Sequence, residues 1–319
     1  MIFSTHTLHP DVTARLSAHA PYRVASAPTA AAILAEGMGA EIVIVRANMP
    51  EAYFAAPNLR AAVRHGSGLD MVPMAVATAA GVLVANVPGV NATTVAEHAI
   101  FAAIALRRQF RALDIAFRSH GWAAGRAFGE HGRDLAGATL GILGFGNIGR
   151  ALQRLGSAFG MTLIAHTRRN DDLPDTVLGV TVDDLVAQSD VLVVCCPLTD
   201  QTRGIISAAR IAMMKPGAAV INVARGPVLD TAALIAALQE RRILAALDVF
   251  DVQPLPDDSP LFALQNVLLT PHTAGITEQS MWRMGMGAAD EALRILNNDL
   301  PVNFCNPSVE ARYRQRFPR

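Results

Sequence analysis

The sequence predicts an α/β protein made of two doubly wound parallel sheets, and three observations predict it. At 319 residues, the chain is long enough for about two domains at ~150 residues each. Short apolar runs alternate with helical stretches in two separate series, which is the pattern of βαβ units. The runs of the second series are apolar throughout, as in Val191–Cys195, and this suits strands covered on both faces. A final helical pattern runs back toward the first series. One domain is therefore expected to comprise residues 1–91 and 287–319, with residues 92–286 inserted between them.

Each element has its own signal. In the first series the candidate strands are Tyr22–Ala25, Glu41–Val45, Ala61–His65 and Val82–Ala85, separated by Ala-rich helical stretches such as Thr29–Glu36 and Pro73–Ala80. One long helix is expected over Thr93–Ser119, its apolar VAEHAIFAAIAL half giving way to RRQFR. Gly121, Gly125, Gly129 and Gly132 then predict a loop. The second series has strands at Thr139–Leu143, Thr162–His166, Val191–Cys195, Ala219–Val223, Ala245–Val249 and Val267–Thr270. Helical patterns fill Ile148–Phe159, Val182–Gln188 and Thr231–Gln239, and a last helix covers about Thr277–Asn297.

Composition excludes several classes of function. The 27 Lys+Arg and 27 Asp+Glu cancel, so no cationic excess is available to grip a nucleic acid or an anionic membrane. A chain that is 51% hydrophobic and 17% charged is not disordered. No apolar run approaches the ~20 residues of a membrane span. The start, MIFSTHTLHP, lacks a basic region followed by an apolar one, so no secretory leader is expected. Three cysteines, two of them adjacent at Cys195 and Cys196, make no disulfide framework, and a reducing cytoplasm is the expected compartment. Small-molecule chemistry remains, with no metal site called for.

The strand TLGIL runs directly into Gly144-Phe145-Gly146-Asn147-Ile148-Gly149, and a helix follows. This is GxGxxG in its meaningful context. The first glycine allows the tight turn, the second lets backbone approach a pyrophosphate, and the third lets helix pack on strand. Gly144, Gly146, Asn147, Ile148 and Gly149 are thus candidate dinucleotide-binding residues at a helix N-terminus, in a Rossmann domain; the plain alternative is a tight turn without a ligand. The next strand ends in His166-Thr167-Arg168-Arg169 without a carboxylate. A carboxylate there would hold a ribose 2′-hydroxyl, whereas a hydroxyl and two guanidiniums suit a 2′-phosphate. Thr167, Arg168 and Arg169 therefore predict a preference for NADP(H), with NAD(H) also admitted; solvated loop charges are the other reading.

Further motifs stand in order at strand ends: Cys196-Pro197-Leu198-Thr199, Asn222-Val223-Ala224-Arg225-Gly226, Leu247-Asp248-Val249-Phe250 and Pro271-His272-Thr273-Ala274-Gly275, with Thr94-Val95-Ala96-Glu97-His98 and Gly121-Trp122 upstream. Together they closely resemble the D-isomer-specific 2-hydroxyacid dehydrogenases, whose relatives include glyoxylate/hydroxypyruvate reductases and phosphoglycerate dehydrogenases. The resemblance runs from about Ile42 to Asn303. It implies a flavodoxin-like substrate domain around the inserted dinucleotide domain, and interconversion of a 2-keto acid and a D-2-hydroxy acid by hydride transfer. Arg225 matches the substrate-binding arginine, whose fork suits a carboxylate. His272 matches the acid/base histidine, which titrates near neutrality. Asp248 matches a position against the nicotinamide, and Cys196, Pro197, Thr202 and Ala224 fall on the cofactor side. Arg64-His65-Gly66-Ser67-Gly68 resembles the substrate loop, with Ser67 and Gly68 near the carboxylate. Arg46 and Arg64 are candidates for a second anionic group on the substrate, or else surface and interface charges.

The sequence departs from the family at one informative place. Most relatives carry a glutamate before the proline after the DVF strand, where it bonds the catalytic histidine; here Gln253 precedes Pro254. A glutamine cannot stabilise imidazolium by charge, but its oxygen can still fix the tautomer. Asp251, two residues away, is an alternative source of that charge, although an exposed loop carboxylate is the ordinary case. Gln-Pro also resembles the formate dehydrogenases of the superfamily, though those have a longer N-terminal region. A third reading is a dinucleotide-sensing corepressor-like protein, disfavoured by the presence of both Arg225 and His272. Ile100, Phe101, Ile104, Leu106, Phe110 and Phe117 exceed what one buried helix face needs, and with Trp122 they resemble the family's dimer region, so a homodimer is expected. Met281, Trp282, Met284 and Met286 are read as core or as the substrate mouth. Cys195 and Cys196 are read as packing residues.

Overall fold

The fully apolar runs become the centres of two parallel sheets. The structure, a computed structural model, describes residues 1–168 and 173–318. In chain order the elements begin with β1 (Ile2–Ser4), α1 (Pro10–Ser17), β2 (Tyr22–Val24), α2 (Ala30–Gly37), β3 (Ile42–Val45), β4 (Ala61–Arg64), α3 (Met74–Ala79) and β5 (Leu83–Ala85). They continue with α4 (Ala92–Arg107), α5 (Phe110–His120), α6 (Trp122–Gly129), β6 (Thr139–Leu143), α7 (Asn147–Ala158), β7 (Thr162–His166), β8 (Leu178–Gly179), α8 (Val182–Gln188) and β9 (Val191–Val194). The rest are α9 (Ala208–Met213), β10 (Ala219–Asn222), α10 (Thr231–Gln239), β11 (Leu244–Leu247), β12 (Val267–Leu269), α11 (Glu278–Leu296) and α12 (Glu310–Arg316).

The chain forms two units, Met1–Asn91 with Ile276–Arg319, and Ala92–Gly275. In the first unit the strand order is β2-β1-β3-β4-β5, all pairs parallel, which is the flavodoxin-like order. Alternate residues of β3 feed opposite cores. Ile42 and Ile44 join Ile2, Val63, Leu83 and the apolar faces of α1 and α11, while Val43 and Val45 join Phe3, Ile33, Tyr53 and Phe54. Burial on both faces is why the strand has no polar alternation, and each buried Ile or Val contributes roughly 1.5–3 kcal/mol.

In the second unit the order is β12-β11-β10-β9-β6-β7-β8, again parallel throughout. β6 and β9 lie at the centre, where the order reverses, as in the Rossmann arrangement. Leu140, Ile142, Val191 and Val193 pack under α4 and α7, and Leu143, Leu192, Val194 and Val220 pack under the helices of the opposite face. Among the described residues no helix is long and apolar enough to cross a membrane.

Several expectations need correction. The single helix expected over 93–119 is two helices, because Gln109 adopts a left-handed φ of 51° between α4 and α5. The expected glycine loop contains α6. Gly125 is there a contact and not a breaker, since a Cβ on it would lie 2.7 Å from Phe117 Cβ. The return to the first unit falls at 275/276 and not at 286/287, because α11 is one uninterrupted helix with a capping box at Thr277 and Ser280. The short strands β1 and β8 and the helices α1, α9 and α12 had no clear signal at their lengths.

Candidate active site

The glycine loop is built by exclusion. Gly144 has φ +99°, and a Cβ there would lie 2.7 Å from Cys196 Cα. A Cβ on Gly149 would lie 2.6 Å from the Gly144 carbonyl oxygen, so this glycine sets how closely α7 approaches β6. At Gly146, by contrast, a Cβ would meet nothing within 4 Å. Open space sits beside the first turn of α7, whose N-terminus has no side-chain cap. Uncapped N–H groups beside a glycine with room around it fit a pyrophosphate. Cys195 Sγ donates to the Gly144 carbonyl at 3.0 Å. Burial pushes the Cys195 thiol up, and pushes Cys196 up to about 11, so both stay protonated at neutral pH. Thr202 Oγ1 donates to the Pro197 carbonyl at 2.7 Å and accepts from Thr199 N at 2.7 Å, closing the loop that carries Pro197.

The end of β7 stands beside the glycine turn, because Gly144 N donates to the His166 carbonyl at 2.9 Å. Thr167 follows half-buried and Arg168 exposed. Arg169, also predicted to bind cofactor, lies outside the described residues.

Three strand ends of the same sheet carry the remaining groups. After β10, the buried Asn222 shapes the turn that presents Arg225, accepting from Ala224 N at 3.0 Å and donating to the Arg225 carbonyl at 3.0 Å. A Cβ on Gly226 would lie 2.1 Å from the Phe250 carbonyl carbon, so only glycine lets these loops pass. After β11, the buried Asp248 accepts from Thr270 Oγ1 at 2.6 Å, Thr273 N at 2.7 Å and Ala274 N at 2.9 Å. After β12, His272 is exposed with φ +57°. Its Nδ1 meets Gln253 Oε1 at 3.0 Å, and Gln253 Nε2 donates to the Phe250 carbonyl at 3.3 Å. With the amide nitrogen so engaged, Oε1 is the acceptor and Nδ1 carries the proton. That tautomer leaves the lone pair of the His272 ring on Nε2. The structure thus brings His272 and Gln253 together, and sets Arg225 and Asp248 on neighbouring strand ends.

The first unit carries the other candidates. Arg64 donates from Nε to the Gly68 carbonyl at 3.1 Å, and from one terminal nitrogen to the carbonyls of Val45 at 3.1 Å and His65 at 2.5 Å. Asn86 Nδ2 donates to the Ser67 carbonyl at 2.7 Å. Arg46 donates to the Thr7 carbonyl at 2.9 Å. His65 is buried; burial first, then Arg46 and Arg64, lower its pKa to about 3. Met284 is buried, with Sδ 3.6 Å from where a Cβ on Gly66 would lie, and Trp282 Nε1 donates to Asp11 Oδ2 at 3.2 Å. Sequence reasoning missed the turn-forming role of Asn222 and the commitment of Arg64 to main-chain carbonyls. The only sequence signal for the first was its place in the NVARG motif.

A doubly wound sheet with a glycine turn suited to a pyrophosphate, and with Arg225, Asp248 and His272 following neighbouring strands, fits a nicotinamide-dinucleotide oxidoreductase. The family model for the NAD-binding domain of D-isomer specific 2-hydroxyacid dehydrogenases matches residues 100–274. The chain is 38% identical over 263 residues to a glyoxylate reductase of Aeropyrum pernix, covering 80% of this chain and 78% of that one. It is 36% identical over 290 residues to a D-3-phosphoglycerate dehydrogenase of Mycobacterium bovis, covering 89% of this chain but 54% of that longer one. Among solved structures, the NADPH-dependent glyoxylate/hydroxypyruvate reductase of Sinorhizobium meliloti, in complex with NADP and malonate, is similar at 27% identity and a TM-score of 0.83, covering 96% and 97% of the two chains. This chain belongs to the D-isomer specific 2-hydroxyacid dehydrogenase family and is an NAD(P)-dependent oxidoreductase.

Proposed function

We propose that the protein reduces a small 2-keto acid of the glyoxylate or hydroxypyruvate type to the D-2-hydroxy acid, with NADP(H) preferred to NAD(H). The observation that carries this reading is the His272–Gln253 pair: an exposed imidazole whose Nδ1 meets Gln253 Oε1 at 3.0 Å, which fixes the tautomer for proton transfer at Nε2. The bound nicotinamide supplies the hydride. Arg225 binds the substrate carboxylate and polarises the carbonyl, on a turn pinned by Asn222. His272 protonates the developing alkoxide from Nε2, and in oxidation accepts that proton back. In the first unit, Ser67 N and Gly68 N have no protein acceptor among the described residues, and they are read as main-chain donors to a carboxylate. The preference for NADP(H) rests on Thr167 and Arg168 at a strand end without a carboxylate, and agrees with the NADPH-dependent relative.

A panel of glyoxylate, hydroxypyruvate, pyruvate, phosphohydroxypyruvate, sulfopyruvate and phenylpyruvate with NADPH and NADH tests this directly. Glyoxylate and hydroxypyruvate with NADPH are expected to give the largest kcat/KM, and equal or better values with NADH would sink the nucleotide preference. The two substrates with a second anion test the reading of Arg46. A second reading, oxidation of formate, is favoured by the Gln253–His272 pair alone, and formate with NAD+ and NADP+ decides it. We also propose a homodimer formed through the α4–α6 region, where Phe101 is 60% and Trp122 72% exposed beside Phe110, Ile115 and Phe117. Mass by light scattering tests it, with Trp122→Arg expected to shift the population to monomer. Three free thiols suit a reducing cytoplasm.

A further inference from the structure

The Thr94–His98 motif has no part in the reading above, yet His98 lies in a hydrogen-bonded chain that ends at the catalytic loop. Its Nε2 is 3.4 Å from Thr270 Oγ1, and Thr270 Oγ1 donates to Asp248 Oδ1 at 2.6 Å. A hydroxyl has one proton, and here it goes to the carboxylate. Toward His98 the Thr270 oxygen can therefore only accept, so His98 Nε2 carries a proton. Asp248 in turn holds the whole 270–274 loop. Its carboxylate takes Thr273 N at 2.7 Å and Ala274 N at 2.9 Å, and its main-chain carbonyl takes His272 N at 2.8 Å. At the centre of this grip is His272 itself, at φ +57°, a conformation that a non-glycine residue seldom adopts without compensation.

We propose that His98 and Thr270 are positioning residues for His272: the His98 Nε2–H holds the Thr270 hydroxyl on Asp248, and Asp248 keeps the loop in the left-handed form in which His272 Nδ1 meets Gln253. The inference rests on the reading of His272 as the acid/base group. It assigns Asp248 a main-chain task alongside the cofactor contact that the family resemblance implies. Both oxygens of Asp248 already accept from the loop, so losing the Thr270 hydroxyl frees the carboxylate to rotate and loosens two N–H contacts at once. His98 is carried by α4, which packs against β11 and β12. A rigid helix thereby sets the reactive imidazole through one hydroxyl and one carboxylate.

The test compares Thr270→Val, Thr270→Ser, His98→Phe and His272→Gln in the full chain. Thr270→Val is expected to lower kcat for 2-keto acid reduction by ~10–100-fold, the scale of a small misplacement of a catalytic group. NADPH affinity, read by fluorescence titration, is expected to stay within about threefold. Thr270→Ser should restore kcat, and His98→Phe should lower it by ~3–10-fold. Histidine-ring NMR of the cofactor-free protein supplies an independent readout. The His272 signal, assigned by its loss in His272→Gln, is expected to move in Thr270→Val and His98→Phe but not in Thr270→Ser. An unmoved signal with kcat retained in Thr270→Val overturns the proposal, as does an equal loss in the Ser and Val variants or a fall in NADPH affinity that matches the fall in kcat. If Thr270→Val does not fold, His98→Phe against Thr270→Ser decides by the same signal. Full activity in His272→Gln would instead overturn the acid/base reading, while the NMR comparison still tests the clamp.

Discussion

Two loops of this protein leave the C-terminal end of a parallel strand, carry a histidine, and are braced by a charged side chain. They use opposite charges. After β4, the Arg64 guanidinium collects the carbonyls of Val45, His65 and Gly68. After β12, the Asp248 carboxylate collects the N–H groups of Thr273 and Ala274. A cationic brace uses up acceptors and leaves donors over, and Ser67 N and Gly68 N are indeed without a protein acceptor among the described residues. An anionic brace uses up donors, and the loop it holds exposes the His272 side chain. The histidines differ accordingly: His65 is buried and driven neutral, while His272 is exposed and meets Gln253 through Nδ1. The sign of the brace therefore separates a loop suited to receiving an anion from a loop suited to moving a proton.

The largest effect should come from the second loop. His272→Gln removes the proton donor and is expected to lower kcat by ~10²–10⁴-fold with NADPH affinity nearly unchanged. Steady-state kinetics beside a fluorescence titration checks this, and a loss confined to KM would contradict it. Arg225→Lys keeps the charge but not the planar fork, and an expected loss of ~10–100-fold in kcat/KM follows from one weakened charged hydrogen-bond pair. A variant within twofold of wild type would show that Arg225 acts only as a point charge.

The first loop should respond differently. Arg64→Gln releases three carbonyls, so the Gly66–Gly68 loop loses its fixed outline. KM for the 2-keto acid is expected to rise about tenfold, with NADPH affinity unaffected, since the glycine cradle belongs to the other unit. An unchanged KM would remove Arg64 from any role in shaping the loop.

Much of this contrast was legible in the sequence, but unevenly. The glycine turn was legible because its three glycines answer to separate steric demands, and Arg225 and His272 because they sit at strand ends within ordered motifs. For Arg64 the sequence leaves a substrate-facing cation and a surface or interface charge both open, and its bonds to main-chain carbonyls are not legible there, since a guanidinium looks the same in sequence whatever it meets. The break at Gln109 was hidden because a left-handed glutamine has no compositional sign. The helix after Gly121 was missed because Gly125, read as a breaker, is a close contact with Phe117. What sequence leaves out here is the destination of polar groups within a few residues of each other.

Between the two loops in size of effect stands Gln253→Glu. A carboxylate at 3.0 Å from Nδ1 would favour imidazolium, raising the His272 pKa by ~1–3 units. Reduction needs the protonated form, so the alkaline limb of kcat/KM for reduction is expected to move to higher pH by about one unit or more. The wild-type amide fixes the tautomer without that charge. A profile that does not move would mean that Gln253 Oε1 is not the group that sets His272.

The smallest effect at neutral pH belongs to His65, and it shows the same contrast from the side of stability. Burial, then Arg46 and Arg64, hold its folded-state pKa near 3 against an ordinary value of 6.5. Above pH 6.5 the group is neutral in both folded and unfolded chains and contributes no pH dependence. As pH falls below 6.5 the unfolded chain binds a proton that the folded one refuses, so stability declines with falling pH until about pH 3. Between pH 7 and pH 5 this amounts to about 2 kcal/mol for the full shift. His65→Asn, which cannot titrate, should therefore show an acid-side slope in denaturant unfolding shallower by that amount, with kcat at pH 7 changed no more than a few-fold. Parallel pH slopes in the two proteins would mean that His65 takes up its proton in the folded state, and that the loop braced by Arg64 is open enough to hold a third cation near two arginines.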